Sequence, residues 1–276
     1  MSYGLNFPNI FGKWSKPNYN SVVSTFCYNI ANDLPIYIEN PETELSLVHI
    51  DDFVNQILSD LKNINYSLDK INPNLVINCA AFTSVDNAED DFESANIINH
   101  NSVKYIAKWC NYNNCRLIHI STDYVYDENL ETPINEDAPT NPINNYGKTK
   151  LLGDIACRVI NPDSIIIRTS WLYSSFGNNF VKKMINLMQH KKELNVINDQ
   201  IGSPTYAADL AQVIVNIINN NNWKPGIYNY TNKGKISWYD LANDIKEFLG
   251  FNTNINAVTT KEYSTKVKRP KYSLLN

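Results

Sequence analysis

The chain has 276 residues, 43% of them hydrophobic and 19% charged, with a formal net charge of −4. That suffices for a large core in one or two domains, and the lack of any basic block argues against nucleic acid or a membrane surface as a partner. The five cysteines (Cys27, Cys79, Cys110, Cys115, Cys157) have no Cys-x-x-Cys spacing and the four histidines stand apart, so neither a metal site nor a disulfide framework is expected, and the thiols fit a cytoplasmic setting. The opening residues carry no signal-peptide pattern, and the longest apolar runs, such as Ser164 to Arg168, are only strand-length, so no transmembrane helix is expected. In chain order, Tyr3 to Phe11 reads as a strand, Asn20 to Asn32 as a helix, and Leu34 to Ile38 and Glu44 to Ile50 as strands. Asp51 and Asp52 open a helix from Phe53 to Leu61, placed where acids suit the positive helix end. The Asn/Ser-rich stretch Lys62 to Asp69 is the most plausible junction, dividing the chain into 1–62 and 63–276.

From Lys70 the rhythm becomes βαβ. Strand Leu75–Asn78, helix Phe92–Tyr112, strand Arg116–Ser121, a helix from Tyr146 to near Val159 and strand Ser164–Arg168 alternate as in a parallel sheet with right-handed crossovers. A helix from Asn179, a strand Leu194–Ile197, a helix from Ala207, the segment Gly226–Tyr230, a helix Trp238–Leu249 and a strand Ile255–Val258 follow. The chain also resembles itself. Asn9-Ile-Phe-Gly12, Leu34-Pro-Ile and Val48-His-Ile-Asp-Asp52 run in the same order as Trp171-Leu-Tyr, Leu194-Asn-Val and Pro204-Thr-Tyr-Ala-Ala-Asp209. Two copies with weak identity read as one structural piece present twice, not as a solenoid.

The chemistry centres on Tyr146 and Lys150, four apart and so on one face of a helix. A phenol with a pKa near 10 exchanges protons poorly at neutral pH, and a nearby ammonium favours its ionised form. Thr122, at the end of the apolar run from Arg116, adds a hydroxyl at the C-terminal edge of a strand, where open α/β sheets bind ligands. The spacing alone is equally consistent with chance on a helix rich in both residues.

Seven motifs in order give the pair a context. They are Val76-Ile-Asn-Cys-Ala-Ala-Phe-Thr-Ser-Val-Asp86-Asn-Ala-Glu89, Ile118-His-Ile-Ser-Thr-Asp-Tyr-Val-Tyr126, Tyr146-Gly-Lys-Thr-Lys150, Ile167-Arg-Thr-Ser-Trp171, Gly177-Asn-Asn-Phe180, Asn198-Asp-Gln-Ile-Gly-Ser-Pro-Thr205 and Lys268-Arg-Pro270. Over about residues 70–276 the chain thereby resembles the dTDP-4-dehydrorhamnose reductases, a branch of the extended short-chain dehydrogenase/reductases. Residues 5–60, through Leu5-Asn-Phe-Pro-Asn-Ile-Phe-Gly-Lys-Trp14 and Leu47-Val-His-Ile-Asp-Asp52, are similar to the substrate-domain part of another extended short-chain nucleotide-sugar reductase. The resemblance implies an α/β fold: a Rossmann-like parallel sheet with a smaller substrate-binding portion. It implies reduction of the C4 ketone of a nucleotide-linked 4-keto-6-deoxy sugar by NADPH or NADH. Tyr146 would donate the proton, Lys150 would hold the nicotinamide ribose, and Thr122 would bond the substrate oxygen. Ala80, Ala81, Thr83 and Asn99 would serve the cofactor, with Asn99 supporting the lysine through water. Tyr124, Tyr126, Trp171, Asn178, Asn179 and Arg269 would serve the nucleotide sugar. For Ala80 and Ala81 simple tight packing, and for Trp171 core burial, are equally open on the residues alone. A homodimer is among the assemblies the resemblance allows.

One feature of the family is missing. The nine glycines include no Gly-x-x-Gly-x-x-Gly turn, and the nearest couple, Gly147 and Gly153, fall within the Tyr146 helix. The chain thus reads as a nucleotide fold without its first strands and pyrophosphate cradle, truncated at both ends. Weak NADPH binding is therefore expected. Two other readings follow from the same gap: a non-catalytic relative, similar to the regulatory subunit of methionine adenosyltransferase, and an inactive fused fragment.

Overall fold

The computed structural model describes residues 71–220, 223–263 and 265–276, together with Leu68 and the backbone of two short strands near the start. The expected helices at 20–32 and 53–61, the expected strand at 34–38 and Cys27 lie outside the described residues. The chain forms two compact units, Met1–Asn72 and Pro73–Asn276, dividing at residue 72 and not at 62. In the first unit, β1 (Asn9–Phe11) runs parallel to β2 (Leu47–His49), with Ile10 opposite Val48.

The second unit begins with β3 (Leu75–Asn78), α1 (Asn87–Asp90) and α2 (Phe92–Asn96). A π turn at Ile97–Asn101 joins α2 to α3 (Ser102–Tyr112). Then come β4 (Arg116–Thr122), α4 (Asn145–Ile160), β5 (Ile165–Thr169), β6 (Leu172–Tyr173), α5 (Phe180–His190) and β7 (Glu193–Ile197). The chain closes with β8 (Ile201–Gly202), β9 (Thr205–Tyr206), α6 (Ala207–Asn219), β10 (Gly226–Asn229), β11 (Ile236–Ser237), α7 (Trp238–Leu249), β12 (Asn254–Val258) and β13 (Tyr272–Ser273). Every longer element expected from Lys70 onward is present. The two-residue strands are too short to carry a periodic signal, and only β6 is anticipated, by the likeness of Trp171-Leu-Tyr to the strand at Asn9-Ile-Phe.

Strands β10, β5, β4 and β3 form a parallel sheet in that order. Strand β5 is buried at every position, which is why Ile165-Ile-Ile shows no alternation: both faces are covered by helices. On one face Ile118, Ile165 and Ile167 pack against Leu210 and Ile214 of α6. Among the described residues β3 is an outer strand of this sheet, and its Ile77 is 41% exposed. The smaller portion pairs β7 with β12 in parallel and closes over Met184, Met188, Leu194, Val196, Ala242, Ile245 and Ile255. Helix α7 starts on a reciprocal Ser237–Asp240 capping box and ends on Gly250 at φ +70°, a conformation that favours glycine.

The internal likeness extends to the backbone. Strand β6 runs parallel to β9 with Leu172 opposite Thr205, the positions corresponding to Ile10 and Val48 in β1 and β2. Among the described residues no helix is long and apolar enough to cross a membrane, and no cluster of His, Cys, Asp and Glu could hold a metal ion.

Candidate active site

Helix α4 starts where the sheet ends. Asn144 caps it, accepting from Gly147 N at 2.8 Å. A Cβ on Gly147 would stand 2.3 Å from the Tyr124 carbonyl oxygen, so glycine lets the helix start rest directly on the turn after β4. Thr122 caps that turn through Tyr124 N (3.3 Å) and donates to Asp123 Oδ1 (3.0 Å). Tyr146 meets Tyr124 edge-on, with ring centroids 5.3 Å apart, in an apolar nest with Ala88 and Ala95. Burial pushes the Tyr146 phenol up to about 12, opposed by the Thr122 hydroxyl and reinforced by the charges of Asp123 and Asp154. Lys150 is not among these causes, contrary to the expectation that it lowers the phenol's pKa. The reason is that burial dominates and the ammonium is directed elsewhere: Lys150 Nζ donates to the Ile120 carbonyl at 2.7 Å. Burial pulls Lys150 itself below the usual range, opposed by Asp154 and Cys79.

Three charged or polar groups around this pair escaped the sequence reading. Asp123 is buried and its carboxyl is pushed up to about 6 by burial, against the Thr122 hydrogen bond and the nearby Ser273 hydroxyl, which favour the charged form. Asp154 lies one further turn along α4 and accepts from Arg168 Nε on β5 at 3.1 Å. His119 on β4 points at the same carboxylate, its Nε2 3.8 Å from Asp154 Oδ1. The Ala80 N–H donates to Asn78 Oδ1 (3.2 Å), which turns the Asn78 amide nitrogen to His119 Nδ1 (3.1 Å). That geometry makes Nδ1 the acceptor and assigns the ring proton to Nε2. Burial and the Lys150 charge hold the ring neutral, well below the ordinary histidine pKa. The i+4 step from Lys150 to Asp154 was the available signal in the sequence.

On the expected cofactor side, the π turn brings Asn99 fully inside. Its amide accepts from Phe82 N (2.8 Å) and donates to Phe82 O (3.1 Å) and Thr149 Oγ1 (3.1 Å). Asn99 therefore fastens the loop after β3 to α4 and directs no side-chain bond at Lys150. Ala80 and Thr83 on that loop are exposed and Ala81 is half-buried, leaving the backbone approachable, whereas core packing would have hidden them. The residues fit the nicotinamide–ribose end of a dinucleotide: an open small-residue loop beside a lysine with three donors, one of them engaged by Ile120. No glycine-rich turn for the pyrophosphate occurs among the described residues.

On the substrate side, a cavity of about 880 Å³ is lined by Tyr124, Asp86, Lys183, Trp238, Lys266 and Arg269, among others. Arg269 Nη2 donates to Asp86 Oδ2 at 2.8 Å, and Lys266 pairs with Asp90. The lining brings Tyr124 and Arg269 together but not Trp171, Asn178 or Asn179. Trp171 stacks on Trp238 with centroids 3.5 Å apart, close over Gly202, so it supports the cavity wall from behind. Its φ of +46° is strained for a bulky residue. Asn178 is exposed, and Asn179 is occupied as the α5 cap, accepting from Lys182 N (3.0 Å) and donating to Ser174 O (2.7 Å). Tyr126 bonds Asn229 (2.9 Å) and lies under the Arg168 guanidinium instead of lining the cavity.

Residues 43–276 match the model of the RmlD substrate binding domain. The chain is 40% identical over 219 residues to a dTDP-4-dehydrorhamnose reductase of Aggregatibacter actinomycetemcomitans, covering 76% of this chain and 74% of that protein. The chain belongs to the dTDP-4-dehydrorhamnose reductase family. It is also 42% identical over 219 residues to the spore coat polysaccharide biosynthesis protein SpsK of Bacillus subtilis, across 79% of this chain and 76% of SpsK. A solved dTDP-4-dehydrorhamnose reductase from Bacillus anthracis, in complex with NADP, superposes with a TM-score of 0.75 at 35% identity, covering 86% of this chain and 83% of that one. The family match begins at residue 43, inside the first compact unit.

Proposed function

We propose that this reductase-family chain reduces the C4 ketone of dTDP-4-dehydrorhamnose to dTDP-L-rhamnose with NADPH or NADH. The observation that supports the proposal is that Thr122, the last residue of β4, meets Tyr146 on α4 one turn from Lys150, while Tyr124, packed against Tyr146, lines the cation-rich cavity. When bound, the nicotinamide supplies the hydride to C4. The chain's part is to deliver a proton to the oxygen left behind. A phenol held at about 12 is fully protonated at neutral pH, the form a donor needs in the reducing direction. Thr122 would turn its one O–H from Asp123 Oδ1 to the substrate oxygen, next to the Tyr146 phenol that gives up its proton. Lys150 has donors left for the ribose diol. Arg269, Lys266 and Lys183 would meet the diphosphate, Arg269 exchanging Asp86 for phosphate oxygens. Residues 1–62 would be a second copy of the pattern found around β6 and β9, a reading supported by the pairing that β1–β2 shares with β6–β9.

The test is NADPH oxidation with dTDP-4-dehydrorhamnose, run on the chain and on Tyr146→Phe. Turnover in the first and at least a hundredfold loss in the second is expected. Activity that survives the substitution would remove Tyr146 from its role. The missing glycine-rich turn favours a second reading, a nucleotide-sugar-binding relative without turnover. Binding of dTDP-sugar with no NADPH oxidation at any substrate concentration would select it.

A further inference from the structure

Helix α4 buries three functional groups in register: Tyr146, Lys150 at 2% exposure and Asp154 at 1%. Two buried carboxylates face Tyr146, Asp123 and Asp154, and of the two only Asp154 acts on Lys150. Its Oδ2 is taken by Arg168, while its buried Oδ1 has no partner at full hydrogen-bond distance, the Ser121 hydroxyl being a near neighbour that favours the charged form. His119 faces Oδ1 as a neutral ring, so it offers a dipole and no charge. Arg168 has other support, from the Glu136 carbonyl at 3.4 Å and from the Tyr126 ring, whose centroid is 4.8 Å from its guanidinium carbon. The only hydrogen bond to Lys150 Nζ from the described residues is that to the Ile120 carbonyl, which carries no net charge. Burying an ammonium at such a place costs free energy unless an opposite charge compensates it.

We infer that Asp154 is a positioning residue for Lys150: its carboxylate, bonded to Arg168 through Oδ2 and without a direct ion pair to Nζ, lies one turn from the buried ammonium on the same face of α4 and holds it seated one helical turn from Tyr146. This rests on the reading of Lys150 as the ribose-holding residue, but the arrangement exists in the chain without any ligand. The other ionisable groups facing Lys150 are Cys79 at the end of β3, His119 on β4 and Tyr146 on α4. Of these, Cys79 and Tyr146 are neutral at working pH because burial raises both, and His119 is neutral because burial lowers it. Asp154 thus has no rival as counter-charge among the described residues. Its effect on Lys150 is upward, and that of Lys150 on Asp154 is downward, as a mutual pair requires.

A double-mutant cycle over Asp154→Asn and Lys150→Met, read by urea unfolding of the whole chain, tests the inference without cofactor or substrate. A coupling of tenfold or more in the unfolding constant is expected, since the two groups act as one unit. In the active enzyme, Asp154→Asn should move the alkaline limb of the kcat/KM profile down by about one pH unit or more, the effect of losing a nearby opposite charge. Asp154→Glu should restore it. Should Asp154→Asn fail to fold because Arg168 is left unpaired, both measurements move to an Arg168→Met background, where the same shift and coupling are expected. A coupling under twofold with an unmoved alkaline limb would show that Asp154 serves Arg168 alone. An inactive chain that still displays the coupling would overturn the proposed reaction and leave this inference standing.

Discussion

Replacing Asp123 by Asn should make the protein more stable at neutral pH and less able to work. The carboxyl is almost fully buried and pushed from an ordinary 3.8 to about 6, with burial as the largest cause. Each pKa unit is worth about 1.4 kcal/mol, so keeping this group ionised above its folded pKa costs the native state about 3 kcal/mol. The sign follows from proton uptake. A group with a raised folded pKa contributes stability below its unfolded value of 3.8 and loses that contribution as pH rises through about 6. Asn removes the titration while preserving the contacts: its Oδ1 still accepts from Thr122, and its amide replaces Oδ2, a buried atom without a hydrogen bond, near the Ser273 hydroxyl. Urea melts followed by tryptophan emission, from about pH 4 to pH 8, measure the difference between variant and parent. The two should coincide at the acid end, and the variant should gain up to about 3 kcal/mol at the alkaline end. A difference that is flat across the range, or a variant less stable at the alkaline end, would refute the placement of a strained carboxylate at this position. Turnover should fall because Asp123 helps to keep the Tyr146 proton in place and sits beside Thr122. That is a stability–activity trade of the kind expected at a functional site.

Asn144→Asp keeps the α4 cap through Gly147 N but loses the donor to Lys268 O (3.1 Å), the link between the catalytic helix and the segment carrying Arg269. The KM for the nucleotide sugar should rise several-fold with kcat little changed, as steady-state kinetics would show. Gly153→Ala places a Cβ 2.1 Å from the Asn99 carbonyl oxygen, which is backbone and cannot swing away. The overpacking penalty of about 1–3 kcal/mol should exceed the helix-propensity gain of about 0.5–1 kcal/mol, and a lowered urea midpoint would register it. Gly202→Ala puts a Cβ 2.7 Å from the Trp171 ring and should break the Trp171–Trp238 stack, changing tryptophan emission and weakening dTDP binding together. Asn99→Ala removes the bonds to Phe82 N, Phe82 O and the Thr149 hydroxyl, the last keeping its own donation to Tyr146 O. At about 1 kcal/mol for each lost bond, roughly 3 kcal/mol of stability should disappear in the same melt.

Local pattern decided much of this molecule. Ile165-Ile-Ile is a run that only a strand covered on both faces uses well, and the four-residue step from Tyr146 to Lys150 puts both on one side of a helix whatever surrounds it. The repeated order around Asn9 and Trp171 was also legible, and the equal register of the two parallel pairs matches it. What the residues alone could not give was the identity of each side chain's partner. Asn99, expected from the resemblance to support Lys150 through water, is turned inward onto Phe82 by a π turn. Trp171 and Asn179 carried family motifs, yet one is spent on a stack and the other on a helix cap. The expected pull of Lys150 on the Tyr146 pKa presumed that proximity along a helix sets electrostatics. In the folded chain burial sets it, because removing a phenol from water outweighs a cation directed at a strand carbonyl. Spacing named Tyr146 and Lys150; only the packing of β4, β5 and α4 around them brought in Asp123, His119, Asp154 and Arg168, since charges far apart in sequence meet only once the sheet has formed.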